Sequence, residues 1–140
     1  MSDHKLRHDV TVKATAGDVK ILLTKRDGLA KWMRGAVTDN AAGDGWTVSY
    51  PGGPEFEWRL ARNDAETISW TCVAGPGDAA GTSVTFQLKA RGDGRLDIHF
   101  THAGWPHQEG NFAKCNALWG MLLHHLREAA DHGKSAAHLS

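Results

Sequence analysis

The chain has 140 residues, and its 16 basic and 16 acidic side chains cancel. A balanced charge gives no field to draw it to nucleic acid or an anionic membrane, so neither is expected as a partner. No apolar run of ~18 residues is present and Met1–Lys5 carries no apolar signal region, so the chain is read as having no membrane span and a cytoplasmic location.

A chain of this size fits one domain over residues 1–140, with a core over about 8–133 and short flexible termini. His8 to Ala14 alternates, with Val10, Val12 and Ala14 on one face, and reads as a strand. Thr15-Ala-Gly-Asp18 has the form of a capping box opening a short helix with Val19, Leu22 and Leu23. A second short turn carries Leu29 and Trp32, and the Gly-rich stretch from Met33 to Gly45 reads as a loop. Four more strands are expected at Trp46–Tyr50, Phe56–Leu60, Ile68–Cys72 and Val84–Leu88, the first of them ending at the turn Pro51-Gly-Gly-Pro54. Arg91-Gly-Asp-Gly94 then makes a hairpin into a last strand ending at His102, and His102-Ala-Gly-Trp105-Pro106 breaks the pattern. From about 108 to 132, Phe112, Cys115, Trp119, Leu122, Leu123 and Leu126 recur at helical spacing. The meander-like order predicts an α+β domain in which an antiparallel sheet of six to seven strands wraps around the terminal helix.

A first strand, two small helices ending in Trp32, consecutive strands and a long terminal helix resemble the helix-grip organisation of the START-like superfamily. Trp70, Gly75-Pro76, Gly81-Thr82 before a strand, the His102–Trp105 turn and a helix with Cys115 and Trp119 are similar to its branch homologous to the Hsp90 ATPase activator. The resemblance spans about Val10 to Gly133. It implies a curved sheet gripping a helix, with two short helices after the first strand and a cavity between sheet and helix. The superfamily includes lipid carriers, metabolite receptors, polyketide cyclases and aromatases, and co-chaperone modules, so fold alone does not select an activity.

Six tryptophans are the chemical signature of this chain. Each brings a large rigid apolar surface and one N–H that needs a partner when buried. The plain reading is a core filled by rings. The functional reading is an aromatic pocket with a few polar groups for orientation. Its candidate lining is Trp32, Trp46, Tyr50, Trp58, Trp70, Phe86, Phe100, His102, Trp105, Asn116 and Trp119. His102 closes the last strand, where it either reaches the cavity mouth or bonds to turn backbone.

Other chemistry is thin. His99 and His102 stand three apart on a strand and so face opposite sides, while His124 and His125 diverge by about 100° on a helix. No carboxylate or cysteine completes either set, so no metal and no cofactor is expected. Cys72 and Cys115 lie in apolar patterns and read as small buried hydrophobes of a reduced protein. Glu57, Asp64, Glu66 and Asp97 alternate with apolar residues or sit in turns and read as solvated, as do Arg59 and Lys89. The missing acid/base pair leaves catalytic residues unassigned and the question of an enzyme open.

Three functions are therefore weighed. The first, preferred, is binding of a small hydrophobic, ring-containing or lipid-like ligand in the helix–sheet cavity. The second is a cyclase- or hydratase-like enzyme using His102, Asn116 and Tyr50 in the same cavity. The third is an interaction module with a chaperone or a second copy of the chain as partner. It is weakened by a length that leaves no room for the amino-terminal domain of full-length activators.

Overall fold

Alternation of apolar and polar residues is what folds most of this chain into strands, and burial follows it residue by residue. A computed structural model describes residues 4–33, 35–40, 43–53, 55–75, 79–105 and 111–139, the side chains of 4, 111–114 and 132–139 excepted. The elements run β1 (His4–Val12), α1 (Ala16–Thr24), α2 (Arg26–Ala30), β2 (Ala36–Asp39), β3 (Gly45–Ser49), β4 (Glu55–Asn63) and β5 (Thr67–Ala74). They continue with β6 (Ser83–Ala90), β7 (Leu96–Trp105) and α3 (Asn111–Leu139). All pairings are antiparallel, in the order β1-β7-β6-β5-β4-β3-β2, so the first strand closes against the last. The α+β helix-grip expectation holds, with seven strands.

The seventh strand is β2, inside the stretch read as a loop. Only Val37 is half-buried there, so Ala36–Asp39 shows no alternation and its strand state comes from pairing with Thr47 and its neighbours in β3. Such edge strands are invisible to periodicity. β7 also runs on to Trp105, because Gly104 at φ 92° lets the backbone pass where a side chain would be strained. Pro106 and the start of the expected helix at 108 lie outside the described residues. Register shifts in β4 opposite β5, and at His4/Leu6 in β1, bend the sheet into its curved form.

The inner face of the sheet sets a cluster of rings among aliphatic side chains such as Val48, Ile68, Val84 and Ile98. Trp119 of α3 sits 4.5 Å (centroid to centroid) from Phe100, and Trp70 lies 5.0 Å from both Trp46 and Phe86. The capping box forms as expected, with Asp18 N–H donating to Thr15 Oγ1 at 3.1 Å. At the other end of α1, indoles serve the free carbonyls: Trp32 Nε1–H donates to Leu22 O (2.7 Å) and Trp70 Nε1–H to Leu23 O (3.0 Å). The sheet thus caps the helix laid across it.

Two helical glycines behave oppositely. A Cβ on Gly28 would lie 2.1 Å from Ile21 O, so α2 can meet α1 only without a side chain there. A Cβ on Gly120 would meet only His8 Cε1, at an ordinary 3.8 Å, on an exposed face of α3. Gly120→Ala should therefore stabilise the fold by about 0.5–1 kcal/mol in urea melts. Gly28→Ala should destabilise it by about 1–3 kcal/mol in the same assay.

Candidate functional site

β7 carries His102 on the inner face, beneath α3, where it is fully buried. An indole N–H can only donate, so Trp119 Nε1–H, 3.0 Å from His102 Nδ1, fixes that nitrogen as the acceptor. The proton must then sit on Nε2, which donates to Thr82 Oγ1 at 2.7 Å. The Thr82 hydroxyl in turn donates a hydrogen bond to Ala79 O at 2.6 Å. One neutral tautomer satisfies the whole chain of bonds. Burial holds the imidazole down at about 3, against an ordinary 6.5.

Next to His102 lies the space between sheet and helix, bordered by Met33, Tyr50, Phe56, Trp58, His102, Cys115, Leu118, Trp119 and Leu122. Its volume is about 10 Å³, which admits roughly one water. Tyr50 and Leu118 are the half-buried members of this lining and mark its mouth. Among the described residues no charged side chain borders it. Burial raises the Tyr50 phenol above its ordinary range and pushes the Cys115 thiol up to about 11 and the Cys72 thiol up to about 12. Neither thiol is a thiolate near neutral pH, and neither is a ready nucleophile.

Of the residues expected to line a pocket, Tyr50, Trp58, His102 and Trp119 meet at this space. Trp32, Trp46, Trp70, Phe86, Phe100 and Trp105 are buried in the surrounding core and do not border it. Asn116 points elsewhere: it is exposed, and its Oδ1 lies 3.0 Å from His8 Nε2 on β1. A step of one residue from Cys115 turns a helical side chain by ~100°, enough to move it from the cavity to the sheet edge. Met33, Phe56, Cys115, Leu118 and Leu122 were not among the candidates. The signal for the last three was present, since 115, 118, 119 and 122 form one helical face. Thr82 left no such signal.

His99 faces outward and bonds Asp9 Oδ1 through Nδ1 at 2.7 Å, on the opposite side of the sheet from His102. His124 and His125 both approach Glu128 Oε1, at 3.2 and 3.5 Å. Among the described residues no three His, Cys, Asp or Glu side chains gather as a metal set. The cavity therefore holds one committed imidazole, one phenol and one protonated thiol. Among the described lining residues no carboxylate stands beside these groups.

The unfolded chain binds a proton at His102 below about 6.5, whereas the folded chain resists it down to about 3. Protonation would also set an Nδ1–H against the Trp119 N–H. Folding stability is thus fully present above about pH 6.5 and falls as pH drops toward 3, by up to ~1.4 kcal/mol per unit. Between pH 7.5 and 5.0 the native chain should lose about 2 kcal/mol more than His102→Gln in urea melts, the variant comparison cancelling the other histidines. The Asp97 carboxyl, held low first by its bond from Thr11, keeps its contribution throughout that window and loses it only as pH falls below the ordinary carboxylate range.

Residues 13–131 match the family described as Activator of Hsp90 ATPase homolog 1-like protein. Among solved structures, the Aha1 dimer from Colwellia psychrerythraea is 28% identical with a TM-score of 0.77, over 94% of this chain and 98% of that one. An uncharacterized protein from Bacillus thuringiensis is 13% identical (TM-score 0.74; 90% of this chain, 98% of that one). Protein MLL2253 from Mesorhizobium loti is 17% identical (TM-score 0.74; 93% and 98%), and both of these share the fold. No curated protein matches the sequence. With the profile covering most of its length and the helix-grip fold in place, this chain belongs to the Activator of Hsp90 ATPase homolog 1-like family, a branch of the START-like superfamily.

Proposed function

We propose that the chain is a binding module that takes a small, neutral, ring-containing ligand between sheet and helix without transforming it. The observation that carries this reading is the lining itself: among the described residues it is aromatic and aliphatic, without a charged side chain, with half-buried Tyr50 and Leu118 on the solvent side. Burying an anion against those residues would cost several kcal/mol, since none of them is a cation. The closed volume of about 10 Å³ sets a condition, namely that a ring enters only as the mouth residues swing out. Apparent affinity is then the intrinsic affinity reduced by the open fraction. Against catalysis, His102 spends both nitrogens inside the protein and Cys115 stays protonated.

The test uses naphthalene as probe, read by intrinsic fluorescence and melting temperature. Leu118→Ala removes half-buried bulk at the mouth and should tighten naphthalene binding several-fold. Arg59→Ala, on an exposed position of β4, should change it by less than twofold. No response in any of the three proteins sinks the reading.

A second reading is favoured by one comparison. The Colwellia protein named Aha1 aligns over 98% of its own length, so a chain of this length does not count against a co-chaperone role. On this reading the chain pairs with a second copy, as that neighbour does, and acts on an Hsp90-type chaperone through its surface. Stimulated ATP turnover by such a chaperone, together with silence toward naphthalene, selects it. Sedimentation as a monomer at tens of micromolar removes the self-association part.

A further inference from the structure

We infer that Trp58 is the specificity-determining residue of the cavity, reading a hydrogen-bond acceptor on its ligand, such as the oxygen of a ketone, quinone or ester. The inference rests on the ligand-binding reading above and deepens it. Trp58 borders the cavity and is 2% exposed, yet its buried Nε1–H has no hydrogen-bond partner. The contrast with its neighbours is informative. Trp32 and Trp70 donate to carbonyls of α1, and Trp119, across the same space, donates to His102. A buried donor left unmade forfeits its hydration without return, so an orphan on a residue at the cavity wall is where a ligand atom gains most.

The remaining lining fixes which atom that is. His102 has no free lone pair, since Nδ1 accepts from Trp119 and Nε2 donates to Thr82. It can neither accept from a ligand nor give up its proton without breaking an internal bond. Apart from Trp58, Trp119 and His102, the described lining residues with a polar side-chain hydrogen are Tyr50 and Cys115, both able to donate. A neutral oxygen acceptor suits this donor-rich wall, whose described residues carry no charge. A ligand donor would have to compete for weaker acceptors, and a carboxylate would lack a counter-charge. The Trp58 ring is also fixed in place, stacked on Phe56 at 15° with centroids 6.0 Å apart and edged by His102 and Trp119. A donor held that firmly loses little entropy on binding.

Acetophenone and α-methylstyrene test this, because they have the same shape and differ by a carbonyl oxygen against a CH₂. Each is titrated into protein labelled with ¹⁵N at tryptophan, the Trp58 indole signal being assigned by its loss in Trp58→Phe. Acetophenone is expected to move the Trp58 N–H resonance downfield and to bind about tenfold more tightly than α-methylstyrene. Trp58→Phe keeps a ring and should bind both probes equally. If the native protein binds the two alike with the Trp58 resonance unmoved by the ketone, the inference is overturned while ligand binding stands. If neither probe binds at millimolar concentration, both are overturned. The comparison in native protein decides the matter even should Trp58→Phe fold poorly.

Discussion

Everything on the concave side of this protein is organised around one buried chain of hydrogen bonds, from Trp119 through His102 and Thr82 to Ala79. It joins α3, β7 and the turn that feeds β6. A polar group inside a ring-lined interior is costly unless every donor and acceptor is matched, and here each is. The matching also removes freedom: His102 has one usable tautomer, and α3 has one rotation that brings Trp119 Nε1 to it. Apolar contacts among rings are tolerant of small rotations. A directional bond is not, and it sets the register of helix on sheet.

The same arrangement shapes what the interior can do. Rings fill the space so fully that about 10 Å³ remains, and the groups facing it are held in unreactive states by burial. The buried imidazole has both ring nitrogens engaged in bonds that tie helix to sheet. On the proposed binding reading, a ligand of one or more rings would have to part existing aromatic contacts, each worth about 0.5–1.5 kcal/mol, and would gain the Trp58 donor in return. Binding and opening would then be coupled, and discrimination would fall on whatever satisfies that donor. The outer face of the sheet is of different character, with Ser69 and Thr85 hydroxyls 3.2 Å apart and ion pairs such as Arg91–Asp97. Exposed pairs of this kind add little stability. They keep the convex face polar and available.

Reading the chain alone recovered the features that neighbours in sequence decide. Strand alternation from Phe56 to Phe100 and the Thr15–Asp18 cap follow from residues within a few positions of one another, because strand and cap geometry are local. So does the face of α3 carrying Cys115, Trp119, Leu122 and Leu126, since helical periodicity places those side chains together whatever they pack against. The sequence therefore determined a helix-grip architecture and an aromatic interior.

Only tertiary structure decided the rest, for one reason: the outcome depended on which distant residue stood opposite. β2 exists because β3 pairs with it, not because Ala36–Asp39 favours a strand. Asn116 turned to His8, 108 positions away, and left the cavity. His102 found Thr82 and Trp119, 20 and 17 positions away, and became neutral and fixed. Among six tryptophans of similar promise, Trp58 and Trp119 came to border the space and Trp32 and Trp70 were spent capping α1. Composition announces that rings will be buried, but strand register and helix rotation choose which indole N–H is satisfied, because a hydrogen bond needs a specific partner at a specific distance and hydrophobic burial does not.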